Sequence, residues 1–223
     1  MFTGIVQSLG TISAINYSGK GAEITIEAKE FDFSDVNIGD SIACNGVCLT
    51  VVKIIGKSFV ADISHETVEC TTFKNQKKGS VINLEKALTP STHMGGHIVQ
   101  GHVDGLGVIH SINRTDNALD IWIAAPQNIA KYIAMKGSIT VNGISLTVNE
   151  VNGSAFRLTL IPHTHDVTNV YLWKKGDSVN IEVDVLARYL ERLMSFSADT
   201  EGKKKGKNDS ILSAGFLAEN GFM

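Results

Sequence analysis

An eleven-residue stretch occurs twice in this chain, and the two copies lie 97 residues apart. The first copy covers residues 41–51 and reads SIACNGVCLTV, and the second covers residues 138–148 and reads SITVNGISLTV. The same offset relates residues 3–10 to residues 100–107. Self-similarity at one fixed spacing is typical of duplicated structural units. The sequence therefore predicts two similar domains, residues 1–89 and residues 90–184, followed by a C-terminal extension.

The segments between the glycines and asparagines have the pattern of short β-strands. Residues 23–27, 80–85 and 178–183 alternate polar and apolar side chains with a period of two. Each Asn-Gly pair in the repeated stretch is typical of a tight turn that leads into a strand. Short strands at regular spacing favour an all-β fold, in which each unit is a small barrel or sandwich of about six strands.

Two segments have helical signals instead. Residues 126–135 begin with proline and are followed by Gly137, which predicts a helix in the second unit. Residues 185–194 place apolar side chains at i, i+3, i+4 and i+7, which predicts an amphipathic helix.

The helix over residues 185–194 lies outside the repeat, so two roles are open for it. It could cover the second unit as a lid, or it could join several copies of the chain. Residues 195–223 are predicted to form a flexible tail, because residues 195–210 are rich in Lys, Gly, Ser and Asp.

Charge and composition exclude several classes of protein. A net charge of −3 gives no electrostatic reason to expect nucleic acid or an anionic membrane as a partner. No apolar run approaches the roughly 20 residues of a membrane span. The N-terminus lacks the basic region of a signal peptide. Three cysteines, an odd number, favour reduced thiols and a cytoplasmic location.

The two copies differ at positions that carry reactive side chains. Cys48 in the first copy corresponds to Ser145 in the second, so this position is at least partly polar. His102 corresponds to Ile5 in the repeat and lies beside Gly101. A histidine next to glycine, where backbone and ligand can approach closely, is a candidate proton carrier.

The other cysteines and histidines carry less specific signals. Cys44 and Cys70 fit unreactive cysteines of a core. His93 and His97 lie four residues apart, but they flank two glycines and have no acidic or cysteine ligand at a standard spacing. We therefore predict no metal site, and we interpret His97 as a linker histidine that bonds to backbone.

Four motifs together closely resemble riboflavin synthase of the alpha-chain type. They are MFTGIVQ at residues 1–7, the paired NGxxLTV elements, GGHxxxGHV at residues 95–103, and IPHT at residues 161–164. The resemblance extends to the end of the predicted helix at Met194 and leaves out only the tail.

The resemblance implies two six-stranded Greek-key barrels and a C-terminal helix that assembles a homotrimer. It implies a transferase that needs no cofactor and that dismutates two molecules of 6,7-dimethyl-8-ribityllumazine. One molecule donates a four-carbon unit to the other, which yields riboflavin and 5-amino-6-ribitylaminouracil. In the family, the site forms where the N-terminal barrel of one subunit faces the C-terminal barrel of its neighbour. Association with lumazine synthase is left open.

Carried over residue by residue, the resemblance predicts two substrate pockets. One would be lined by Gly4, Ile5, Val6, Ser41, Cys48, Leu49, Thr50, Asp62, Ile63, Ser64, His65, Glu66 and Thr67. The other would be lined by Gly101, His102, Val103, Lys136, Ser145, Leu146, Thr147, Ile161, Pro162, His163, Thr164, His165 and Asp166. In both pockets, apolar side chains would flank the flat ring and polar ones would bind the ribityl chain.

For catalysis we expect Cys48, His102, Ser145 and Thr147 to act. His102, with Ser145 and Thr147 nearby, would move protons at the acidic 7-methyl group of the lumazine. Cys48 would act in the opposite pocket, as a nucleophile or as an orienting group for an added water. The main alternative is a non-catalytic lumazine- or flavin-binding protein with the same barrels. The presence of all four residues favours the enzyme.

Overall fold

Twelve β-strands form the framework of the chain in this computed structural model, which describes residues 1–115 and 117–201. The first six strands are β1 (Ser8–Ser18), β2 (Gly21–Glu27), β3 (Ser41–Cys44), β4 (Val47–Ile55), β5 (Ser58–Ser64) and β6 (Val81–Lys86). The second six are β7 (Gly105–Arg114), β8 (Leu119–Ala124), β9 (Ser138–Val141), β10 (Ile144–Asn152), β11 (Ala155–Leu160) and β12 (Ser178–Val183). The strands β3 and β9 begin 97 residues apart, as do β4 and β10.

Each set of six antiparallel strands closes into a barrel of the same topology. The neighbours in the first barrel run in the order β1-β2-β5-β4-β3-β6, and the second barrel repeats this order. The hairpin-linked strands β3, β4 and β5 are flanked by β2, which pairs with β5 but is joined along the chain to β3 by the long connection at residues 28–40, and this arrangement is a Greek key. The prediction of two six-stranded Greek-key barrels is confirmed, and barrel closure leaves no unpaired sheet edge.

Each barrel has its own core, built from the inward-facing side of the alternating strand pattern. Ile24, Ile26 and Phe59 are fully buried in the first core, and Ile121, Ile123 and Phe156 are fully buried in the second. Side chains of this size contribute about 1.5–3 kcal/mol each when they leave water. Two separate cores explain why the duplicated sequence can be read as two domains.

Short helices close the barrels between strands. They are α1 (His65–Cys70), α2 (Gln127–Ala130) and α3 (Pro162–Val167), with 3-10 helices at Thr72–Asn75 and Asn169–Leu172. The predicted helix over residues 126–135 is therefore limited to α2. A segment this short does not hold a helix by propensity alone, and the burial of Ile129 and Ile133 in the second core sets its path instead.

The C-terminal helix α4 (Val185–Glu201) belongs mainly to a separate unit that begins at Arg188. The predicted end at Met194 was too early, because no glycine or proline interrupts the chain before Gly202. The start of the predicted flexible tail at Ser195 is thus helical, and residues 202–223 lie outside the described residues. Among the residues described, no helix is long and apolar enough to cross a membrane.

The two repeated Asn-Gly turns meet each other between the barrels. Asn45 and Asn142 have φ values of 48° and 46°, and Gly46 and Gly143 have φ values of 78° and 80°. A Cβ atom placed on Gly143 would lie 2.7 Å from the backbone nitrogen of Gly46, and the reverse substitution is equally close. Only glycine fits this contact, so the repeated turn is also the junction of the barrels.

Buried asparagines tie this junction together in pairs that follow the repeat. The side-chain amide of Asn83 donates to the carbonyl of Asn142 at 2.9 Å, and that of Asn180 donates to the carbonyl of Asn45 at 2.8 Å. Asn169 adds a hydrogen bond to the side-chain oxygen of Asn45 at 3.0 Å. Hydrogen bonds at this depth hold the barrels in one relative position, because a broken one leaves a polar group without water.

Candidate functional site

Each barrel is preceded by a short segment. The two segments cross each other, so that each one contacts the opposite barrel. They are the N-terminal segment (residues 2–6) and the linker segment (residues 96–103). Phe2 and Val99 are equivalent in the repeat and form an antiparallel bridge, with hydrogen bonds of 2.7 and 3.1 Å. Beyond the bridge, Val6 packs against the core of the second barrel, and Val103 packs against the core of the first. Each barrel therefore receives the segment that precedes the other barrel.

The N-terminal segment lies directly on β10 of the second barrel. The backbone N–H of Ser145 donates to the carbonyl of Gly4 at 2.7 Å. A Cβ atom on Gly4 would lie 2.6 Å from the Cβ of Ser145, and the φ of Gly4 is +76°. The exposed Ile5 follows at once. This side of the molecule therefore combines Gly4, Ile5 and Val6 with Ser145.

The linker segment makes the equivalent contact with β4 of the first barrel. The backbone N–H of Cys48 donates to the carbonyl of Gly101 at 2.9 Å. A Cβ atom on Gly101 would lie 2.6 Å from the Cβ of Cys48. His102 is exposed and Val103 is half-buried on the same side.

The predicted composition of the two pockets is therefore wrong in one respect. Residues 4–6 were expected with Cys48 and residues 101–103 with Ser145, whereas the structure interchanges these segments. The repeat alone could not show the exchange, because it relates positions within each unit and says nothing of which barrel a preceding segment contacts. The grouping of His102 with Ser145 fails for the same reason.

Ser145 has a histidine partner that the sequence did not indicate. Its hydroxyl lies 2.7 Å from Nδ1 of His97, and Nε2 of His97 lies 3.2 Å from the hydroxyl of Thr140. The interpretation of His97 as a linker histidine bonded to backbone is wrong for its side chain, although its backbone N–H does donate to the carbonyl of Thr3 at 3.2 Å. The glycine before His97 is a sequence signal that could have pointed to this pair. Gly96 lies so close to Ser145 that a Cβ on it would be 2.8 Å from the Cβ of Ser145.

Burial lowers the pKa of His97, and a weaker attraction to Asp184 acts in the opposite direction. The ring is therefore neutral near pH 7, with one nitrogen as donor and the other as acceptor. A neutral imidazole in contact with a serine hydroxyl is the arrangement that accepts a proton through that hydroxyl.

The two cysteines of the repeated stretch have different surroundings. Cys48 is half-buried, and its thiol side contacts the small cluster of Phe2, Ala43 and Val99. Cys44 is fully buried, and burial raises the pKa of its thiol well above the usual range. The prediction that Cys44 lies in the core is confirmed, whereas Cys70, which was also expected there, is exposed.

The remaining predicted residues of the first unit lie on β3 to α1. Thr50 and Asp62 are exposed, and Ser41 is half-buried opposite Thr50. Leu49 and Ile63 are core residues, so their side chains cannot flank a ligand. The hydroxyl of Ser64 accepts from the backbone N–H of Thr67 and begins α1, which leaves His65 and Glu66 exposed.

The second unit presents its equivalent residues in the same way. Leu146 is half-buried and Thr147 is exposed next to Ser145, and the exposed Lys136 has a φ of +67°. Ile161, Pro162, His163 and Asp166 are exposed around α3, with Thr164 half-buried between them. His165 lies 3.1 Å from Arg114 and 2.9 Å from Asp166, beside a cavity of about 160 Å³.

The candidate site as a whole is two half-sites with similar backbones and different reactive groups. One holds a thiol and an exposed histidine, and the other holds a Ser–His pair. Among residues 1–115 and 117–201, no group of three or more His, Cys, Asp or Glu side chains could hold a metal ion. The arrangement can bind two similar molecules and treat them differently.

Comparison with known proteins identifies relatives that share both barrels. The family model described as the lumazine-binding domain matches residues 3–87 and again residues 100–184. The chain is 49% identical over 217 residues to riboflavin synthase of Photobacterium phosphoreum, which covers 97% of this chain and all of the relative. It is 37% identical over 222 residues to riboflavin synthase of Bacillus subtilis (strain 168), with complete coverage of both chains.

Solved structures with the same fold contain bound ligands. The crystal structure of LumP complexed with 6,7-dimethyl-8-(1'-D-ribityl) lumazine superimposes with a TM-score of 0.73 at 27% identity, over 82% of this chain and 99% of that chain. The complex of LumP with riboflavin gives a TM-score of 0.74 at the same identity and coverage.

Proposed function

Because the chain belongs to the riboflavin synthase family of two-repeat lumazine-binding proteins, we propose that its barrels bind two molecules of 6,7-dimethyl-8-ribityllumazine and dismutate them. A four-carbon unit passes from the donor lumazine to the acceptor, and the products are riboflavin and 5-amino-6-ribitylaminouracil. The observation that carries this proposal is the duplicated half-site with one reactive position diverged, Cys48 in one copy and Ser145 in the other. Two copies of one substrate need two similar pockets, and their opposite roles need different chemistry.

Ser145 and His97 act on the lumazine in the second barrel. The 7-methyl group of this substrate is acidic, so its deprotonation needs a base that is neutral at working pH. A short Ser–His hydrogen bond and the lowered pKa of His97 support this role. Ser145 touches the substrate, and His97 accepts the proton through it. This pair takes the place of the His102–Ser145 group that the sequence favoured.

Cys48 and His102 act on the lumazine in the first barrel. The half-buried thiol is accessible to a ligand, and the exposed histidine lies on the segment that contacts it. We assign Cys48 as the nucleophile or the group that orients an added water, and His102 as a proton carrier beside it. Exposed Thr50, Asp62, Glu66, Thr147, His163 and Asp166 supply hydrogen bonds for the two ribityl chains.

Alignment of the two rings requires a second copy of the chain. Both half-sites contain exposed side chains, and exposed apolar residues such as Ile5 and Ile161 accompany the second one, at 47% and 60% exposure. A neighbouring subunit that faces a first-barrel pocket toward a second-barrel pocket would exclude water and hold the reacting atoms close. We therefore assign the active site to a subunit interface.

The helix α4 provides a surface for such an assembly. Its apolar residues Leu186, Tyr189, Leu190, Leu193, Met194 and Phe196 are 56–72% exposed. A continuous apolar face of this kind on a single helix supports association with copies of itself. We propose a homotrimer assembled through α4, in preference to the lid that the sequence left open.

Substitution of Leu190 by glutamate should dissociate this trimer. A charge in the middle of the apolar face would have to be buried without a partner, which costs several kcal/mol or more. We expect a monomer in sedimentation velocity or light scattering, together with loss of riboflavin formation. Ser195→Glu is the matched control, since Ser195 lies on the opposite side of the helix and is exposed. A trimer that persists in Leu190→Glu would contradict the assignment of α4.

The activity is tested by incubating the purified protein with 6,7-dimethyl-8-ribityllumazine and separating the products by chromatography. We expect two lumazines to disappear for each riboflavin and each 5-amino-6-ribitylaminouracil that forms. A non-catalytic lumazine-binding protein would bind the compound and leave it unchanged. The synthases match the whole chain at higher identity than LumP does, which favours the enzyme.

Two further expectations concern the surroundings of the enzyme. Three cysteines without a disulfide among them fit a reducing compartment, so we place the protein in the cytoplasm. We also propose that lumazine synthase, as the enzyme that supplies the lumazine, associates with this protein. Co-sedimentation of the two proteins tests this association.

A further inference from the structure

Each barrel contains one deeply buried glutamate on its last strand, and the two are equivalent in the repeat. Glu85 lies on β6 and Glu182 lies on β12, 97 residues later, with exposures of 4% and 5%. A charged carboxylate at this depth is costly unless hydrogen bonds satisfy its oxygens. Neither glutamate belongs to the predicted site residues, so their contacts point to another purpose.

Glu182 binds the linker segment through three backbone N–H groups in a row. Oε1 accepts from the N–H of Gln100 at 2.6 Å, and Oε2 accepts from those of Gly101 and His102 at 2.9 Å each. Burial raises the pKa of Glu182 to about 7, and repulsion from Asp104 adds to this, whereas the three N–H groups lower it. The three N–H groups favour the carboxylate and burial favours the protonated acid, so Glu182 holds the segment as a carboxylate above about pH 7.

Glu85 binds the N-terminal segment in the equivalent way. Its Oε1 accepts from the backbone N–H and from the hydroxyl of Thr3, both at 2.6 Å, and its Oε2 accepts from the N–H of Gly4 at 3.0 Å. Burial raises the pKa of Glu85 as well, against the hydrogen bonds from Thr3 and Gly4, which lower it. Each barrel thus fixes its own preceding segment by a buried carboxylate.

The residue that each glutamate holds by its N–H reaches the other barrel by its carbonyl. Gly101 donates to Glu182 and accepts from the N–H of Cys48, while Gly4 donates to Glu85 and accepts from the N–H of Ser145. The close approach at both glycines, with a Cβ position only 2.6 Å from the neighbouring Cβ, leaves no slack in either contact. A single glycine residue therefore connects each glutamate to a reactive residue of the opposite barrel.

We infer that Glu182 and Glu85 are positioning residues that act across the barrel boundary. Glu182, on the second barrel, holds Gly101 in place and thereby determines the position and the solvent exposure of Cys48 in the first barrel. Glu85, on the first barrel, sets Ser145 in the second. The effect on riboflavin formation rests on the function proposed above, whereas the effect on the geometry of Cys48 and Ser145 does not.

The chemistry requires a carboxylate in this position rather than an amide. Three N–H donors converge on two oxygens, and a glutamine would turn an NH₂ group toward at least one of them. In Glu182→Gln the linker segment would lose a charge-assisted hydrogen bond and a donor would face a donor. Gly101 would then move away from Cys48. Because the backbone of Gly101 lies against Cys48, this movement would expose the thiol.

Thiol labelling of the full-length protein in a Cys70→Ser background tests the inference at Cys48. Cys44 is fully buried, so Cys48 is the remaining accessible thiol of the three. We expect Glu182→Gln to raise the labelling rate by about tenfold, the factor for loss of one charge-assisted hydrogen bond. The matched variant Glu85→Gln should raise the rate less than Glu182→Gln does, because Glu85 holds Gly4, whose carbonyl accepts from Ser145 and not from Cys48. The Cys48→Ser variant should not be labelled, which verifies that the labelled thiol is Cys48.

The reverse pattern is expected at Ser145. Glu85→Gln should shift the backbone amide resonance of Ser145, whose N–H donates to the carbonyl of Gly4 at 2.7 Å, and Glu182→Gln should shift it less. Where a glutamine variant does not fold, Glu85→Asp or Glu182→Asp retracts the same carboxylate and gives the same comparison. Equal effects of both glutamates on either probe, or an effect only within the same barrel, would overturn the inference.

These two readouts need no substrate, so they separate the inference from the proposed function. If the crossed pattern appears and no riboflavin forms, the positioning role stands and the proposed activity fails. If riboflavin forms and the pattern is absent, the activity stands and the glutamates are purely structural.

Discussion

Replacement of His97 by glutamine should lower the rate of riboflavin formation at saturating substrate by about 10²- to 10⁴-fold, the usual contribution of a positioned general base. The protein should still bind 6,7-dimethyl-8-ribityllumazine. The reason is the 2.7 Å contact between Nδ1 of His97 and the hydroxyl of Ser145, which glutamine can imitate as a hydrogen bond but not as a proton acceptor.

The pH dependence of the rate gives an independent measure of the same role. Because burial lowers the pKa of His97, the imidazole stays neutral as the pH falls through the usual histidine range. The acid limb of the rate profile that belongs to this residue should therefore lie below that range, and it should disappear in His97→Gln. His93→Gln is the matched control, since His93 is an exposed histidine four residues earlier. A rate near that of the unmodified protein in His97→Gln would exclude the Ser–His pair from catalysis.

Replacement of Gly143 by alanine should destabilise the protein by about 3 kcal/mol or more, combining a left-handed backbone with a clash in a packed interior. The φ of Gly143 is +80°, and its new Cβ would lie 2.7 Å from the backbone nitrogen of Gly46. Neither atom can move alone, because the hydrogen bonds of Asn83 and Asn180 hold both turns. The midpoint of thermal unfolding should fall by about 10 °C for a chain of this size.

The turn at Gly153 offers a control that separates the two causes. Gly153 also has a left-handed φ, +59°, but a Cβ there meets nothing within 4 Å. Gly153→Ala should cost only the backbone term of about 1 kcal/mol. Gly46→Ala should behave like Gly143→Ala, because the contact is reciprocal. If Gly143→Ala and Gly153→Ala lower the midpoint equally, the junction between the turns contributes nothing to stability.

The repeat and the strand patterns predicted the duplicated all-β fold for a physical reason. Strand alternation and Asn-Gly turns are local signals, and a 97-residue offset requires two units with the same register of inward-facing residues. Cys48 could be distinguished from Cys44 because the repeat aligns Cys48 with the polar Ser145 and Cys44 with the apolar Val141. The helix α2 was overestimated, since packing of Ile129 and Ile133 outweighs the helical signals there.

The candidate site was less predictable, as three residues illustrate. His97 belongs to the GGHxxxGHV motif, but nothing in that motif indicates its partners Ser145 and Thr140, which are more than forty residues away. His102 was assigned to the wrong half-site, because its segment crosses to the barrel that contains Cys48. The sequence thus supplied the reactive side chains and their divergence, but not their grouping.

By itself, the sequence determined two equivalent units of short β-strands, the turn that each repeats, and a thiol in one copy where the other has a hydroxyl. Tertiary structure alone decided that the Asn-Gly turns meet at the barrel junction and that the two preceding segments exchange barrels. Local patterns encode burial and backbone conformation within each unit. The exchange depends on contacts between units, such as Gly4 on Ser145 and Gly101 on Cys48, which form only when both barrels are complete.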